Sequence, residues 1–195
     1  MAIATETIQR LREQTGAGIL DAKKALEEAG GNFDQAVDVL RKRGQKVAAK
    51  KQDRQASEGV VEAYIHGQGR VGVLLKLNCE TDFVARTDQF KELAHQLAMH
   101  VAAFNPSYLS KADVPAEVVT REQAVHRELL TKEGKPAAVF DKIIAGKLQK
   151  FYSEVCLLEQ NFLMDETKTV QALITERIAE LGENIVLAEF KRMSL

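Results

Sequence analysis

Two β-branched and aliphatic runs, Gly59-Val60-Val61-Glu62-Ala63-Tyr64-Ile65-His66 and Val71-Gly72-Val73-Leu74-Leu75-Lys76-Leu77, are separated only by Gly67-Gln68-Gly69-Arg70. Glycine tolerates the positive φ of tight reversals, so this stretch predicts a hairpin. The second run meets Asn78-Cys79-Glu80-Thr81-Asp82-Phe83-Val84, and from Thr87 a helical apolar period takes over. A strand is therefore expected to hand over to a helix within a short corner. The composition of that corner is odd, because the acid of Asp82 favours water while the ring of Phe83 favours burial. Two outcomes stay open. Phe83 folds back into its own core, or it stands out as a wedge for another protein, the kind of aromatic anchor that carries much of an interface's energy.

The chain before the hairpin reads as helical. Ile8, Leu11, Ile19, Leu20, Ala22, Ala25, Leu26 and Ala29 keep helical spacing, with Thr15-Gly16-Ala17-Gly18 as a break and Gly30-Gly31 as a stop. Asn32 reads as an N-cap with Gln35 three residues on, and Phe33, Ala36, Val37 and Leu40 form a third stripe. Three helices over residues 1–45 make a small core with little room for a catalytic cavity, better suited to a recognition face. Residues 46–57 continue a basic segment carrying Lys42, Arg43, Lys46, Lys50, Lys51 and Arg54. Without a broad apolar stripe it is expected to be a solvated helical linker. Binding RNA is the alternative, although the segment lacks the interleaved aromatics on which single strands stack.

Residues 58–195 form the expected third region. After the hairpin, a helix is expected from about Thr87 to Phe104, stopped by Asn105-Pro106. Helices follow from about Pro115 to Lys132 and from Pro136 to about Lys150, separated at Gly134 and Pro136. Glu154 to Leu163 reads as a strand holding Cys156, Thr169 to Leu181 as a helix ended by Gly182, and Ile185 to Phe190 as a last strand. The order predicts an α+β fold: a three-helix bundle, a linker, then a small, largely antiparallel sheet packed with helices.

Composition excludes several classes. Lys+Arg 27 against Asp+Glu 28 gives a net charge of −1, with no general pull toward nucleic acid or an anionic membrane. No apolar run approaches the roughly 20 residues of a membrane span. Met1 to Gln9 shows neither a basic start nor an apolar core, so no signal peptide is read there. Cys79 and Cys156 lie far apart and form no CxxC, which fits a reduced, cytoplasmic setting.

Apparent chemical motifs fail on context. Gly67-Gln68-Gly69-Arg70-Val71-Gly72 matches G-x-G-x-x-G, but a strand follows, whereas a dinucleotide site needs a helix N-terminus there. No P-loop pattern is present. His95 and His100 are five apart, on different faces of one helix, unlike a metal-binding pair. A thiol enzyme built on Cys79 is a rival class, but a cysteine at a strand end reads as a small buried hydrophobe. Neither a cofactor, a metal nor a catalytic residue is expected, and the chain does not read as an enzyme.

Taken together, the residues resemble the bacterial elongation factor Ts family, exchange factors of the translational GTPase elongation factor Tu. Leu11-Arg12-Glu13-Gln14-Thr15-Gly16-Ala17-Gly18-Ile19-Leu20-Asp21-Ala22-Lys23-Lys24-Ala25-Leu26 resembles the family's opening signature, and Asn78-Cys79-Glu80-Thr81-Asp82-Phe83-Val84-Ala85 its central one. Ala98-Met99-His100-Val101-Ala102-Ala103 and Gly182-Glu183-Asn184-Ile185 add support over nearly the whole chain.

The resemblance implies a division of labour. The N-terminal module, similar to ubiquitin-associated domains, would dock on the GTPase through Arg12, Ile19, Leu20 and Lys23, with Ile19 and Leu20 standing where relatives often carry methionine. Asp82 and Phe83 would wedge near the GTPase's Mg²⁺ site and promote GDP release, and His66 would make a second contact. Long members carry two copies of the core half-domain and a helical hairpin, with these last two segments on different copies. Here both fall in one copy, so the chain resembles the short form. A homodimer rebuilding the double core, and a 2:2 complex with elongation factor Tu, are expected. No membrane and no direct nucleic-acid contact is expected. A ribosome- or RNA-associated protein using the basic linker is the alternative.

Overall fold

The computed structural model describes residues 3–195. Met1 and Ala2, where the stretch read as leader-free and the first expected module begin, lie outside them. The helices are α1 (Thr5–Thr15), α2 (Ile19–Glu28) and α3 (Phe33–Lys51), followed by strands β1 (Glu58–His66) and β2 (Val71–Cys79). A one-turn helix α4 (Asp82–Ala85) and a long α5 (Asp88–Phe104) come next, then α6 (Ala116–Lys132) and α7 (Phe140–Val155). Strands β3 (Asn161–Phe162) and β4 (Asp165–Thr169), helix α8 (Val170–Leu181) and strand β5 (Ile185–Ser194) close the chain. The fold is α+β, with a small antiparallel sheet in the order β1-β2-β5 and a separate β3-β4 pair. The described chain divides into two compact units.

Among the described residues, the first unit comprises residues 3–61, Lys76–Ala94 and Ala172–Ala188. In α1–α3, Leu11, Ala22, Ala25, Leu26 and Ala36 are fully buried, with Ile8, Phe33, Val37 and Leu40 packed against them. Helical spacing marked these positions, but it also included Ile19 and Leu20, which are exposed. Asn32 caps α3 by accepting the Gln35 amide at 3.0 Å, and the helix runs without a break through the basic segment to Lys51. Gly59 has φ +147°, and a Cβ there would lie 2.1 Å from the Leu77 carbonyl oxygen. Only glycine lets the two strands approach at that point.

The second unit comprises Glu62–Leu75, His95–Gln171 and Glu189–Leu195. Gly67, Gln68 and Gly69 all take positive φ in the hairpin turn, closed by the Arg70 amide donating to the His66 carbonyl at 3.1 Å. α6 and α7 form a helical hairpin around buried Leu130, Phe140 and Ile144. His100 is wholly buried between polar partners. Its Nε2 lies 3.0 Å from Gln160 Oε1, and its Nδ1 accepts the Leu163 amide at 3.1 Å. An Nδ1 that accepts assigns the neutral tautomer with the proton on Nε2. Burial accordingly pushes the imidazole below its ordinary range.

One expected element is overturned. Glu154 to Leu163 is not a strand: α7 runs through Val155, Leu157–Glu159 form a single 3-10 turn, and only Asn161–Phe162 extend as β3. The apolar run reflects burial of Cys156 and Leu157, not alternation. The backbone there pairs with the segment after α5 instead of with a strand, the Leu157 and Leu158 amides donating to the Tyr108 and Leu109 carbonyls at 2.9 and 3.0 Å. β4, rich in Asp, Glu, Lys and Thr, carries no apolar signal and escaped the sequence reading. The last strand also runs on beyond Phe190 to Ser194.

Candidate functional site

The corner after β2 is built from its capping residue outward. Thr81 has extended backbone, and its hydroxyl accepts the Val84 amide at 3.4 Å, starting α4 at Asp82. Thr87 ends the turn, its hydroxyl donating to the Val84 carbonyl at 2.7 Å and accepting the Phe90 amide at 3.3 Å. Buried Cys79 and Ala85 anchor the inner side. The alternation of β2 places Val73, Leu75, Leu77 and Cys79 inward. The ring of Phe83, by contrast, is 79% exposed. Of the two outcomes open for this ring, the structure selects the outward one. Asp82 beside it pairs with Arg86 at 2.8 Å while staying half exposed.

A pair of carboxylates braces this corner. Glu183 accepts the Glu80 and Thr81 amides at 3.1 and 3.0 Å on one oxygen, and the Thr81 hydroxyl at 2.6 Å on the other. Glu80 returns the arrangement, accepting the Asn184 amide at 2.6 Å and Arg54 at 3.4 Å. The Asn184 side-chain amide donates to the Arg54 and Gln52 carbonyls at 2.8 and 3.3 Å, and Lys51 donates to the Gly182 carbonyl. The end of α3, the start of the corner and the loop before β5 are thus tied together within the first unit. The Asn184 amide, then the Arg54 charge, hold the Glu80 carboxyl below its ordinary value of 4.5. Burial, reinforced by the Glu183 carboxylate, pushes the Cys79 thiol up to about 11. A thiol so held is a poor nucleophile near neutrality.

The N-terminal group of candidate residues is also outward. Arg12 and Lys23 are exposed, Ile19 is 61% and Leu20 71% exposed, and Lys23 lies 3.8 Å from Glu27. The first turn of α2 carries Ile19 and Leu20, and Lys23 follows one turn on, so the three share a face. Gly16 ends α1 with φ +67° and lets the chain reverse into that turn. His66 lies in the second unit, exposed at the end of β1. Its ring stacks on Tyr64 with centroids 5.9 Å apart, and Nδ1 lies 2.9 Å from the Tyr64 hydroxyl. The sequence placed Tyr64 in the same segment as His66 but gave it no role, and the Glu80–Glu183 brace went unseen. Two acids in separate signatures were the available signal, but nothing in their spacing says that they serve one corner.

Among the described residues, no group of three or more His, Cys, Asp or Glu is placed to hold a metal ion. No helix among them is long and apolar enough to cross a membrane. The arrangement offers exposed apolar and charged side chains on braced backbone, which suits binding to another macromolecule.

Comparison with known proteins agrees over the length of the chain. A family model described as Elongation factor TS matches residues 2–181. An elongation factor Ts of Moorella thermoacetica is 55% identical over 190 residues, covering 97% of this chain and 94% of its own. That of Fervidobacterium nodosum is 50% identical over 195 residues, covering 100% and 99%. That of Thermotoga petrophila is 52% identical over 195 residues, covering 100% and 97%.

Proposed function

The chain belongs to the elongation factor Ts family of translation elongation factors, and we propose that it is the guanine nucleotide exchange factor of elongation factor Tu. The observation that carries this reading is the Phe83 ring, 79% exposed on a turn whose backbone is tied by Glu183 and capped by Thr81. A ring presented on stiff backbone is spared much of the ordering entropy of binding. Burying it in a partner removes roughly 150–250 Å² from water, which can offset local distortion of that partner.

The GTPase holds GDP through phosphate contacts and Mg²⁺. Asp82 and Phe83 enter beside that site and shift the elements around the metal, so the nucleotide weakens without being touched. Arg12, Ile19, Leu20 and Lys23 dock the N-terminal helices on the GTPase, and His66 makes a separate contact. Each tenfold loss of GDP affinity requires about 1.4 kcal/mol of coupling. Coupling is reciprocal, so incoming nucleotide weakens the factor's own grip and releases it. The factor forms and breaks no covalent bond and uses no cofactor. It speeds exchange without choosing between GDP and GTP at equilibrium.

The working unit is a homodimer in which Asp82 and Phe83 of one protomer act with His66 of the partner subunit. Exposed Val61, Ile65 and Leu74 on the strands support this, since apolar side chains on a sheet favour a covering surface. The deciding experiment mixes the protein with elongation factor Tu loaded with a fluorescent GDP analogue, with size followed by light scattering. Accelerated release at substoichiometric factor is expected. Unaccelerated release would overturn the exchange reading, and a fully active monomer would overturn the pairing.

A further inference from the structure

Strand alternation puts Glu62, Tyr64 and His66 on one face of β1. Within the second unit that face meets His95 of α5. His95 Nδ1 lies 2.8 Å from Glu62 Oε1, and the His95 ring meets Tyr64 edge-on with centroids 5.5 Å apart. Tyr64 therefore packs against two rings, that of His95, which pairs with Glu62, and the stacked ring of His66. Its hydroxyl is aimed at His66 Nδ1, 2.9 Å away. A phenol is the better donor of the two groups and a neutral imidazole nitrogen the better acceptor. The proton of neutral His66 then sits on Nε2, the nitrogen left free on an exposed ring.

We propose that Tyr64 is a positioning residue that fixes both the tilt and the tautomer of His66, so that an Nε2–H donor is presented to a hydrogen-bond acceptor, a carbonyl or carboxylate, on the GTPase. This rests on the reading that His66 contacts elongation factor Tu. A histidine at the end of a strand would otherwise sample both tautomers and several rotamers, and a contact that needs one of them is weakened by the unpopulated fraction. The Glu62–His95 pair extends the order one residue further back, since it keeps the Tyr64 ring from swinging away from β1.

The test has two arms. In the free protein, under mildly alkaline conditions where imidazoles are neutral, two-bond ¹H–¹⁵N correlation spectra report the tautomer of each histidine. His66 is expected wholly as the Nε2–H form, and Tyr64→Phe, which keeps the ring but deletes the hydroxyl, is expected to give a mixture of tautomers. A mixture in the unsubstituted protein, or an unchanged single form in Tyr64→Phe, would overturn the proposal while leaving the exchange reading untouched. The second arm measures GDP release. His66→Gln carries a side-chain N–H near the position of Nε2 and is expected to stay within about threefold of the parent, whereas His66→Asn is expected to lose roughly fivefold to tenfold, the scale of one hydrogen bond. Tyr64→Phe is expected to add nothing once His66 is Asn. Equal loss in the Gln and Asn variants would overturn the donor role. Failure of the parent protein to accelerate release at all would defeat the exchange reading instead, which separates the two failures. Thermal unfolding of each variant identifies any loss caused by misfolding.

Discussion

At the residue scale, the central side chain is one that the protein's own folding does not need. Phe83 is exposed, so removing its ring takes almost nothing from the core. Phe83→Ala is expected to leave the melting temperature within about a degree or two, while weakening binding to elongation factor Tu by about 2 kcal/mol or more and slowing GDP release. Calorimetry and nucleotide-release kinetics on one preparation check both halves. Unchanged release would remove the wedge from the account. Glu80 is the opposite kind of residue, one whose charge the fold uses. Its carboxyl titrates lower when folded than when unfolded, so its stabilising contribution is complete above its ordinary value of 4.5 and is lost as pH falls toward the folded value. Glu80→Gln is therefore expected to lower the melting temperature near neutrality. The gap from the parent should narrow as pH drops below about 4.5, the ordinary value. A gap that stays constant across that range would mean that the charge is not what matters.

At the scale of the element, what the sequence made legible depended on periodicity. α2, α5, α6 and α8 announce themselves through apolar spacing and through Gly30, Pro106, Gly134 and Gly182 at their ends, because a helix that buries one face must repeat it. The β1–β2 hairpin is legible for the same reason with period two, and the glycine turn adds its own chemistry. The stretch around Cys156 and Leu157 was misread because burial alone does not distinguish a strand from a buried turn, and β4 was missed because it buries little. The outward ring of Phe83 was not decided by its own sequence neighbourhood: the bracing comes from Glu183, over a hundred residues away. One prediction belongs to the hairpin. Gly59→Ala would set a Cβ 2.1 Å from the Leu77 carbonyl oxygen in a backbone conformation that alanine resists. It is expected to cost more than about 2 kcal/mol, read as a lowered urea midpoint with an unchanged slope. A midpoint at the parent value would show that the strands can part there at little cost.

At the scale of the whole molecule, the side chains proposed to meet the GTPase lie far apart in sequence, and their charges answer to solution conditions differently from their rings. Lys23 is exposed and lies 3.8 Å from Glu27, so any attraction it has for an acidic partner is open to screening. Lys23→Glu is expected to weaken complex formation several-fold at about 0.01 M salt and much less at about 1 M, where the Debye length shrinks from about 30 to 3 Å. Titration calorimetry at the two salt levels checks this, and an equal loss at both would mean that the substitution disturbs α2 itself. Glu183 has a bearing on how a cell makes such a factor. The amide of Thr81 and the carboxylate that holds it are 102 residues apart. A ribosome that has just synthesised Phe83 has produced a ring without its scaffold, and must add that long a stretch before the corner can lock. Chains abandoned in the interval would carry Phe83 on slack backbone and, if the proposed wedge role holds, would compete poorly with finished molecules for the GTPase.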